Sequence, residues 1–359
     1  MMPKNIIIFS DGTGQEGGVG ANTNIYKLFN MIEDRTERQV AFYDRGLGTG
    51  VHKITGSIAG LGISRNIKDC YRFLFENFNA GDQIYLFGFS RGAATMRSLS
   101  SFIHHFGILP QSRPELISQA YKIYQISDGN KRVKKAAEFI GRHHTMWTRI
   151  RFLGCYDTVA ALGLPWPTLS ALMELLPFMR HRFHDFKLSL CVDHACQALA
   201  IDDVRKVFHP ILWDEDCEQV QSIRQVWFSG MHTDVGGGYP EQQLSDIPLA
   251  WLTNEAVALG LNIYPGHKVT INEDINGVMH NSRDSFWERV IYRRRIRQWQ
   301  KSRKHKPLIH ESVLQRTKGI DNSEATPYKP WITGLESEVE PWLKYNEMSW
   351  AQKTEKNCM

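Results

Sequence analysis

The sequence has few cysteines, and no two of them form a CxxC motif. Several of the six lie in apolar surroundings that suit buried thiols, so we expect reduced, structural cysteines and no disulfide framework. We also predict no metal site and no cofactor. The six are Cys70, Cys155, Cys191, Cys196, Cys217 and Cys358.

A secretory leader and a membrane span are also missing from the pattern. The first residues, MMPKN, lead directly into the apolar run IIIF, which leaves no room for a signal peptide's apolar region and cleavage site. Residues 162–179 are almost wholly apolar, but three prolines and Glu174 argue against a membrane helix. We therefore expect a cytoplasmic protein, with secretion by a signal-independent machine as the alternative.

Phosphate-binding motifs are absent too. The loop D-G-T-G at residues 11–14 has no following G-K-[ST], and its glycines miss the G-x-G-x-x-G spacing, so a nucleotide site is disfavoured. The net charge of +5 is a mild excess that argues neither for nor against nucleic acid. We expect no nucleic-acid partner.

The most informative stretch that is present is residues 82–94, DQIYLFGFSRGAA. Residues 84–87 are β-branched or apolar and indicate a buried parallel strand, and apolar residues then recur at helical spacing as far as residue 103. Ser90 lies between strand and helix in G-F-S-R-G, the pattern of a nucleophile elbow. The plainer alternative is a serine that only caps the helix.

The alternation of strands and helices predicts an α/β protein with a mainly parallel sheet and helices on both faces. We expect a single catalytic domain over 1–345, with a helical cap at about 110–148 and 162–190, an irregular basic region at 281–308 and a disordered polar tail at 346–359. Predicted strands occupy 5–10, 40–43, 84–87, 149–155 and 224–228, and predicted helices 63–79, 114–140, 188–200 and 248–259.

A nucleophilic serine needs a base and an acid that orients the base. Asp157 and His232 each follow a predicted strand, which gives the order Ser, Asp, His that α/β hydrolases use. Asp157 could instead cap a helix. A second assignment takes Asp234 as the acid and His310 as the base. We favour His232 because it directly follows a clear strand.

Acyl transfer also needs hydrogen-bond donors for the oxyanion. The N–H of Arg91, the residue after the serine, is one predicted donor. The second is the N–H of Gly12 or Thr13, in the loop after the first strand.

Seven motifs span most of the chain. They are IFSDGT near the start, YDRGLGTG at 43–50, LFGFSRGA at 86–93, YDTVAALG at 156–163, ALAIDD at 198–203, HTDVGGGY at 232–239 and IHESV at 309–313. Together they resemble the α/β-hydrolase family that contains the catalytic domains of type VI secretion phospholipase effectors of the first lipase group, and uncharacterised bacterial and fungal proteins. The resemblance implies an esterase or phospholipase with Ser90, Asp157 and His232 as its triad. Tyr156 and Thr233 depart from the family pattern, which usually has Trp and Ser there.

The expected activity is therefore a serine ester hydrolase that forms an acyl-enzyme on Ser90. A medium or long acyl ester, such as a phospholipid, would lie under residues 162–179, although these could equally be a core helix. The alternatives are an esterase for small polar esters and a catalytically silent binding module. The basic run at 289–306 could attract the anionic lipid head groups of a membrane surface, or nucleic acid, although a solvated amphipathic helix is the commoner outcome for such a pattern. An immunity or secretion partner is compatible with the sequence but is not identified by it.

Overall fold

The protein is built on one parallel β-sheet. The computed structural model describes residues 3–12, 17–18, 20–32, 34–46, 56–159, 187–215, 220–299, 305–319 and 327–345. The strands in these residues are β1 (Asn5–Ser10), β2 (Gln39–Asp44), β3 (Gln83–Phe89), β4 (Ile150–Tyr156), β5 (Val192–Ala200), β6 (Ser222–Phe228), β7 (Leu308–His310) and β8 (Glu338–Glu340). These eight strands pair in the order β2-β1-β3-β4-β5-β6-β7-β8, and every neighbouring pair is parallel.

Helices cover both faces of this sheet. They are α1 (Asn24–Met31), α2 (Gly56–Asn77), α3 (Arg91–Phe106), α4 (Glu115–Tyr124), α5 (Gly129–His143), α6 (His232–Gly236), α7 (Gln243–Ala258), α8 (Phe286–Ile291) and α9 (Glu311–Gly319). Side chains alternate along a strand, so Ile8 and Leu86 enter one core, with α2 to α5, while Phe9 and Phe87 enter the other, with α1 and α7. Burial on both faces explains the continuous apolar runs of β1 and β3, and the predicted α/β architecture is confirmed.

The first predicted cap segment, residues 110–148, contains α4 and α5. These helices pack on α3: the ring of Phe102 lies 5.9 Å from Tyr121, and Phe106 meets Phe139 edge to face at 5.8 Å. Both helices contribute side chains to the core on that face of the sheet. The second cap segment falls largely on residues 160–186, and these, like the tail at 346–359, lie outside the described residues.

One predicted helix is wrong. Residues 188–200 were expected to be helical, but Val192–Ala200 form β5, the strand between β4 and β6. The alanines, Gln197 and Asp193 of this stretch do not favour a strand by intrinsic propensity. Pairing on both edges and burial of most of the strand override that preference, because a fully paired central position satisfies every backbone N–H and C=O group.

The described helices include none that is long and apolar enough to cross a membrane. Four cysteines, Cys70, Cys155, Cys191 and Cys196, are buried free thiols, in agreement with the expectation for them. Cys217 and Cys358 lie outside the described residues.

Candidate active site

Ser90 occupies a strained turn between β3 and α3. Its φ of 58° and ψ of −120° are rare for a residue with a side chain. The turn is tight because a Cβ on Gly88 would lie 2.5 Å from the Ala93 Cα, and one on Gly92 would lie 2.0 Å from the Ser10 carbonyl oxygen. The two glycines thus permit the close approach of strand, helix and the end of β1 that places Ser90 at the carboxyl edge of the sheet.

Three side chains from separate strand ends form one hydrogen-bonded chain at this edge. The His232 Nε2 atom lies 2.8 Å from the Ser90 Oγ atom, and the His232 Nδ1 atom lies 2.5 Å from Asp157 Oδ2. All three residues are buried. With Nδ1–H donating to the carboxylate, Nε2 carries the lone pair that can accept the serine proton.

The imidazole of His232 is held on both sides. The Phe89 ring centroid lies 4.7 Å from it and the Phe208 ring centroid 5.0 Å. The His232 backbone N–H donates to Asp203 Oδ2 at 3.3 Å, and Asp203 in turn pairs with Arg205. These contacts fix the ring plane, which matters because proton transfer needs Nε2 to remain aligned with Ser90.

Asp157 is the most constrained residue of the site. Its φ of 39° is again in the left-handed region, and its Oδ1 atom accepts a hydrogen bond from the Ala200 N–H at 3.0 Å. Burial alone would raise the pKa of the Asp157 carboxyl, but the Arg297 guanidinium and the hydrogen bond from His232 hold that pKa well below its usual range. The carboxylate therefore stays ionised inside the protein.

Arg297 is the residue of this site that sequence reasoning missed. It is fully buried, and it donates to both oxygens of Asp157 and to the carbonyls of Ala200 and Phe208. It lies within the basic run at 289–306, whose pattern indicates a solvated helix or a surface that attracts anionic lipid or nucleic acid. Nothing in the local pattern separates Arg297 from Arg293–Arg295, which are exposed. Arg297 differs from these neighbours only because the folded chain places it next to Asp157, where it is buried.

The alternative triad members lie elsewhere. His310, at the end of β7, bonds through Nδ1 to Ser312 Oγ at 2.8 Å and stacks on Phe228 at 4.6 Å. Burial lowers its pKa to about 3. Asp234 accepts a hydrogen bond from His280 Nδ1 at 2.6 Å. The structure thus brings Ser90, Asp157 and His232 together and gives His310 and Asp234 different partners.

The predicted oxyanion donors differ in availability. Arg91 is the first residue of α3, and the first N–H groups of a helix have no partner within it. Gly12 lies close to Ser90, since a Cβ placed on it would be 3.6 Å from the Ser90 Cβ. Its N–H, however, donates to Asp11 Oδ1 at 2.7 Å. Thr13 lies outside the described residues.

Asp11 organises this side of the site. Its Oδ2 atom accepts hydrogen bonds from Thr23 Oγ1 at 2.6 Å and from the Tyr43 hydroxyl at 2.7 Å. Burial raises the pKa of Asp11 to about 6, although the hydrogen bonds from Thr23, Tyr43 and Gly12 act in the opposite direction. The charge state of Asp11 therefore changes at mildly acidic pH.

A parallel sheet with helices on both faces, and a serine elbow between a central strand and its helix, defines the α/β-hydrolase fold. Residues 4–255 match the family described as "T6SS, Phospholipase effector Tle1-like, catalytic domain". The chain belongs to this family, and the resemblance inferred from its motifs is confirmed.

Individual relatives are distant. An uncharacterised protein of Saccharomyces cerevisiae is 23% identical over 73% of this chain and 58% of its own length. A crystal structure of an uncharacterised Pseudomonas aeruginosa protein is 17% identical, with a TM-score of 0.45, over 75% of this chain and 48% of that one. The Tle1 effector, in a structure bound to the VgrG spike, is 17% identical, with a TM-score of 0.34, over 67% of this chain and 52% of the effector chain. The chain spans about half the length of these proteins.

Proposed function

We propose that this protein is a serine hydrolase that cleaves carboxylic esters through an acyl-enzyme on Ser90. The observation that carries the proposal is the pair of hydrogen bonds of one imidazole, 2.8 Å to the Ser90 hydroxyl and 2.5 Å to the Asp157 carboxylate. Membership of a phospholipase effector family supports the same chemistry.

In the first half of the reaction, the Ser90 Oγ atom attacks the ester carbonyl carbon while His232 Nε2 accepts the hydroxyl proton. The tetrahedral intermediate carries its negative charge on the former carbonyl oxygen, where the Arg91 N–H can donate to it. The C–O bond to the leaving group then breaks. His232 returns its proton to the departing alkoxide, which leaves as the alcohol.

In the second half, water replaces the alcohol. His232 Nε2 accepts a proton from the water, whose oxygen attacks the acyl carbon, and the same proton returns to Ser90 Oγ as the acid is released. Throughout both halves Asp157 stays ionised and stabilises the imidazolium, because Arg297 and the surrounding hydrogen bonds hold its proton affinity low. The cycle consumes one ester and one water and needs no cofactor.

The substrate we propose is the acyl ester of a phospholipid. The family's description supports a lipid substrate over a small polar ester. A catalytically silent binding module is disfavoured by the backbone of Ser90, because a φ of 58° costs on the order of 1–3 kcal/mol and persists at sites that use the strain. The expectations of a cytoplasmic protein, or of one exported with a secretion or immunity partner, stay predictions.

A fluorophosphonate probe tests the nucleophile. We expect covalent labelling of the full chain, mass-spectrometric mapping of the adduct to Ser90, and no labelling of Ser90→Ala. Ser98→Ala is a matched control because Ser98 is as buried as Ser90 and lies in α3, the helix that follows it. Labelling that survives Ser90→Ala at the wild-type rate would refute the proposal.

The substrate class needs a separate assay. Hydrolysis of p-nitrophenyl esters of increasing chain length, and of mixed phospholipid micelles, should give kcat/KM values that rise with acyl length, because each buried CH₂ contributes roughly 0.8 kcal/mol. If the probe labels Ser90 but kcat/KM does not change with acyl length, the serine mechanism stands and the substrate is a small polar ester instead of a phospholipid.

A further inference from the structure

Helix α8 exposes a large apolar surface. Three of its six residues are large, apolar and exposed: Phe286 is 72% exposed, Trp287 70% and Val290 59%. The two rings pack against each other edge to face, with centroids 5.7 Å apart. Two large aromatic side chains standing side by side in solvent are costly to leave uncovered, and such pairs mark surfaces that contact a partner or a membrane.

Five arginines lie close to this apolar surface along the chain, at positions 283, 289 and 293–295. In the described residues, Arg283, Arg289 and Arg293–Arg295 have no carboxylate within ion-pairing distance. Two carboxylates belong to the same stretch: Asp284, which is exposed, and Glu288, which closes a capping box with Ser285. Five cations against two acids give residues 283–295 a net positive charge.

A cavity of 520 Å³ opens beside α8. Its lining includes Arg283, Arg289 and Arg294, together with Asn281 and Ser282. Asp202 is the one carboxylate among the lining residues, and it already accepts hydrogen bonds from the Tyr328 hydroxyl and the Gly230 N–H. Three guanidinium groups around one cavity provide the donors that a phosphate group binds.

The surface is anchored to the rest of the domain. Arg283 and Arg289 donate to each other's carbonyl oxygens, at 2.5 and 3.2 Å. The backbone N–H of Arg295 donates to the Val204 carbonyl at 2.7 Å. Two residues further on, Arg297 reaches Asp157. The same stretch of chain therefore carries the exposed surface and a contact of the active site.

We propose that the α8 surface, formed by Phe286, Trp287, Val290 and the five arginines, docks the protein on an anionic phospholipid bilayer. The aromatic pair enters the interfacial region, where amphipathic rings are stable, and the arginines meet lipid phosphates. The guanidinium cavity receives one headgroup phosphate. A nucleic acid would satisfy the cations but would leave the aliphatic Val290 without an apolar partner. The docking goes beyond the proposed hydrolysis and does not require a reactive Ser90.

The test uses the full chain carrying Ser90→Ala, so that the vesicles stay intact. We expect it to co-sediment with phosphatidylcholine vesicles that contain phosphatidylserine and much less with phosphatidylcholine alone. Added salt should release it, because surface electrostatic attraction is screened. Absence of binding to the anionic vesicles, or equal binding to both, overturns the proposal and leaves the esterase assays unaffected.

Two sets of variants locate the surface. The triple change Arg289→Gln, Arg293→Gln and Arg294→Gln should weaken anionic-vesicle binding on the order of 100-fold, since each basic residue near the bilayer contributes about 1 kcal/mol. The control Lys131→Gln, Lys134→Gln and Lys135→Gln removes the same charge from exposed positions of α5 and should weaken binding far less. Equal losses in the two triple variants would show a general charge effect and would overturn the assignment.

The aromatic pair is tested in the same way. Phe286→Ala with Trp287→Ala should reduce binding several-fold, and the exposure of both side chains means that folding should be unaffected. Val133→Ala with Trp147→Ala, at two other exposed positions, is the control. If the aromatic variant binds vesicles like its parent, or if the arginine variant loses affinity for RNA but not for vesicles, the lipid assignment is wrong.

Discussion

Arg297 holds Asp157 through two parallel charge-assisted hydrogen bonds, 2.6 Å from Nη1 to Oδ1 and 2.8 Å from Nη2 to Oδ2. Both residues are fully buried, and the second oxygen is shared with His232. The carboxylate that bonds to the His232 imidazole is thus itself oriented by a cation. In the proposed mechanism Arg297 is therefore a positioning residue, because it would act on a substrate only through Asp157 and His232.

Replacing Arg297 by Met should lower stability and kcat together. Loss of one partner of a buried ion pair costs about 3–5 kcal/mol. In the wild type the folded pKa of Asp157 lies below its unfolded value, so its ionisation contributes stability that is present above pH about 4 and is lost as pH falls through the lower folded value. The variant should therefore unfold at a higher pH in an acid titration followed by circular dichroism.

Arg297→Lys is the matched control for that experiment. It keeps the charge but loses the two-pronged geometry, so it should recover much of the acid stability while kcat stays reduced and KM changes little. A Met variant with wild-type acid stability and wild-type kcat would contradict the positioning role.

Substitutions of the two candidate bases, His232 and His310, should have very different effects on turnover. His232→Ala should lower kcat on the order of 10³-fold or more, because Ser90 loses its proton acceptor. His310→Asn should keep near wild-type turnover per folded molecule, since His310 bonds to Ser312 and packs on Phe228. Ester hydrolysis by both purified variants is the measurement. Loss of turnover in the His310 variant alone would transfer the role of base to His310.

Asp11 should make stability depend on pH in the direction opposite to Asp157. Burial raises its folded pKa from 3.8 to about 6, so the folded state binds the proton more tightly than the unfolded chain. This group therefore adds stability below pH about 4 that is lost as pH rises to 6, up to about 3 kcal/mol. Urea unfolding at pH 4, 5 and 7 should show that Asp11→Asn removes this part of the pH dependence. An unchanged profile would show that Asp11 does not titrate in this window.

The two glycines of the elbow should not tolerate a side chain. Gly92→Ala would put its Cβ 2.0 Å from the Ser10 carbonyl oxygen, so the variant should lose several kcal/mol or fail to fold. Gly141→Ala in α5 meets no atom within 4 Å and should stabilise the protein by about 1 kcal/mol. Thermal unfolding of the Gly92→Ala and Gly141→Ala variants is the measurement. Equal melting temperatures of the two variants would show that the elbow is not tightly packed.

The parts of this protein that depend on local pattern could be predicted from the sequence. Residues 82–94 determine the strand, the turn and the helix around Ser90, because an apolar run, two glycines and a helical repeat each act over a few residues. Asp157 and His232 could also be placed, since each follows a strand directly and the carboxyl ends of parallel strands share one edge of a sheet.

Tertiary structure decided the rest. Val192–Ala200 became a strand because β4 and β6 pair with both of its edges, a constraint that no local pattern contains. Arg297 looks like its exposed neighbours in the sequence, and only the path of the chain behind Asp157 buries it against a carboxylate. The Gly12 N–H is engaged by the side chain of its own neighbour, Asp11, because Thr23 and Tyr43 fix that carboxylate in place. Each of these outcomes depends on contacts between residues far apart in the chain, which no local pattern contains.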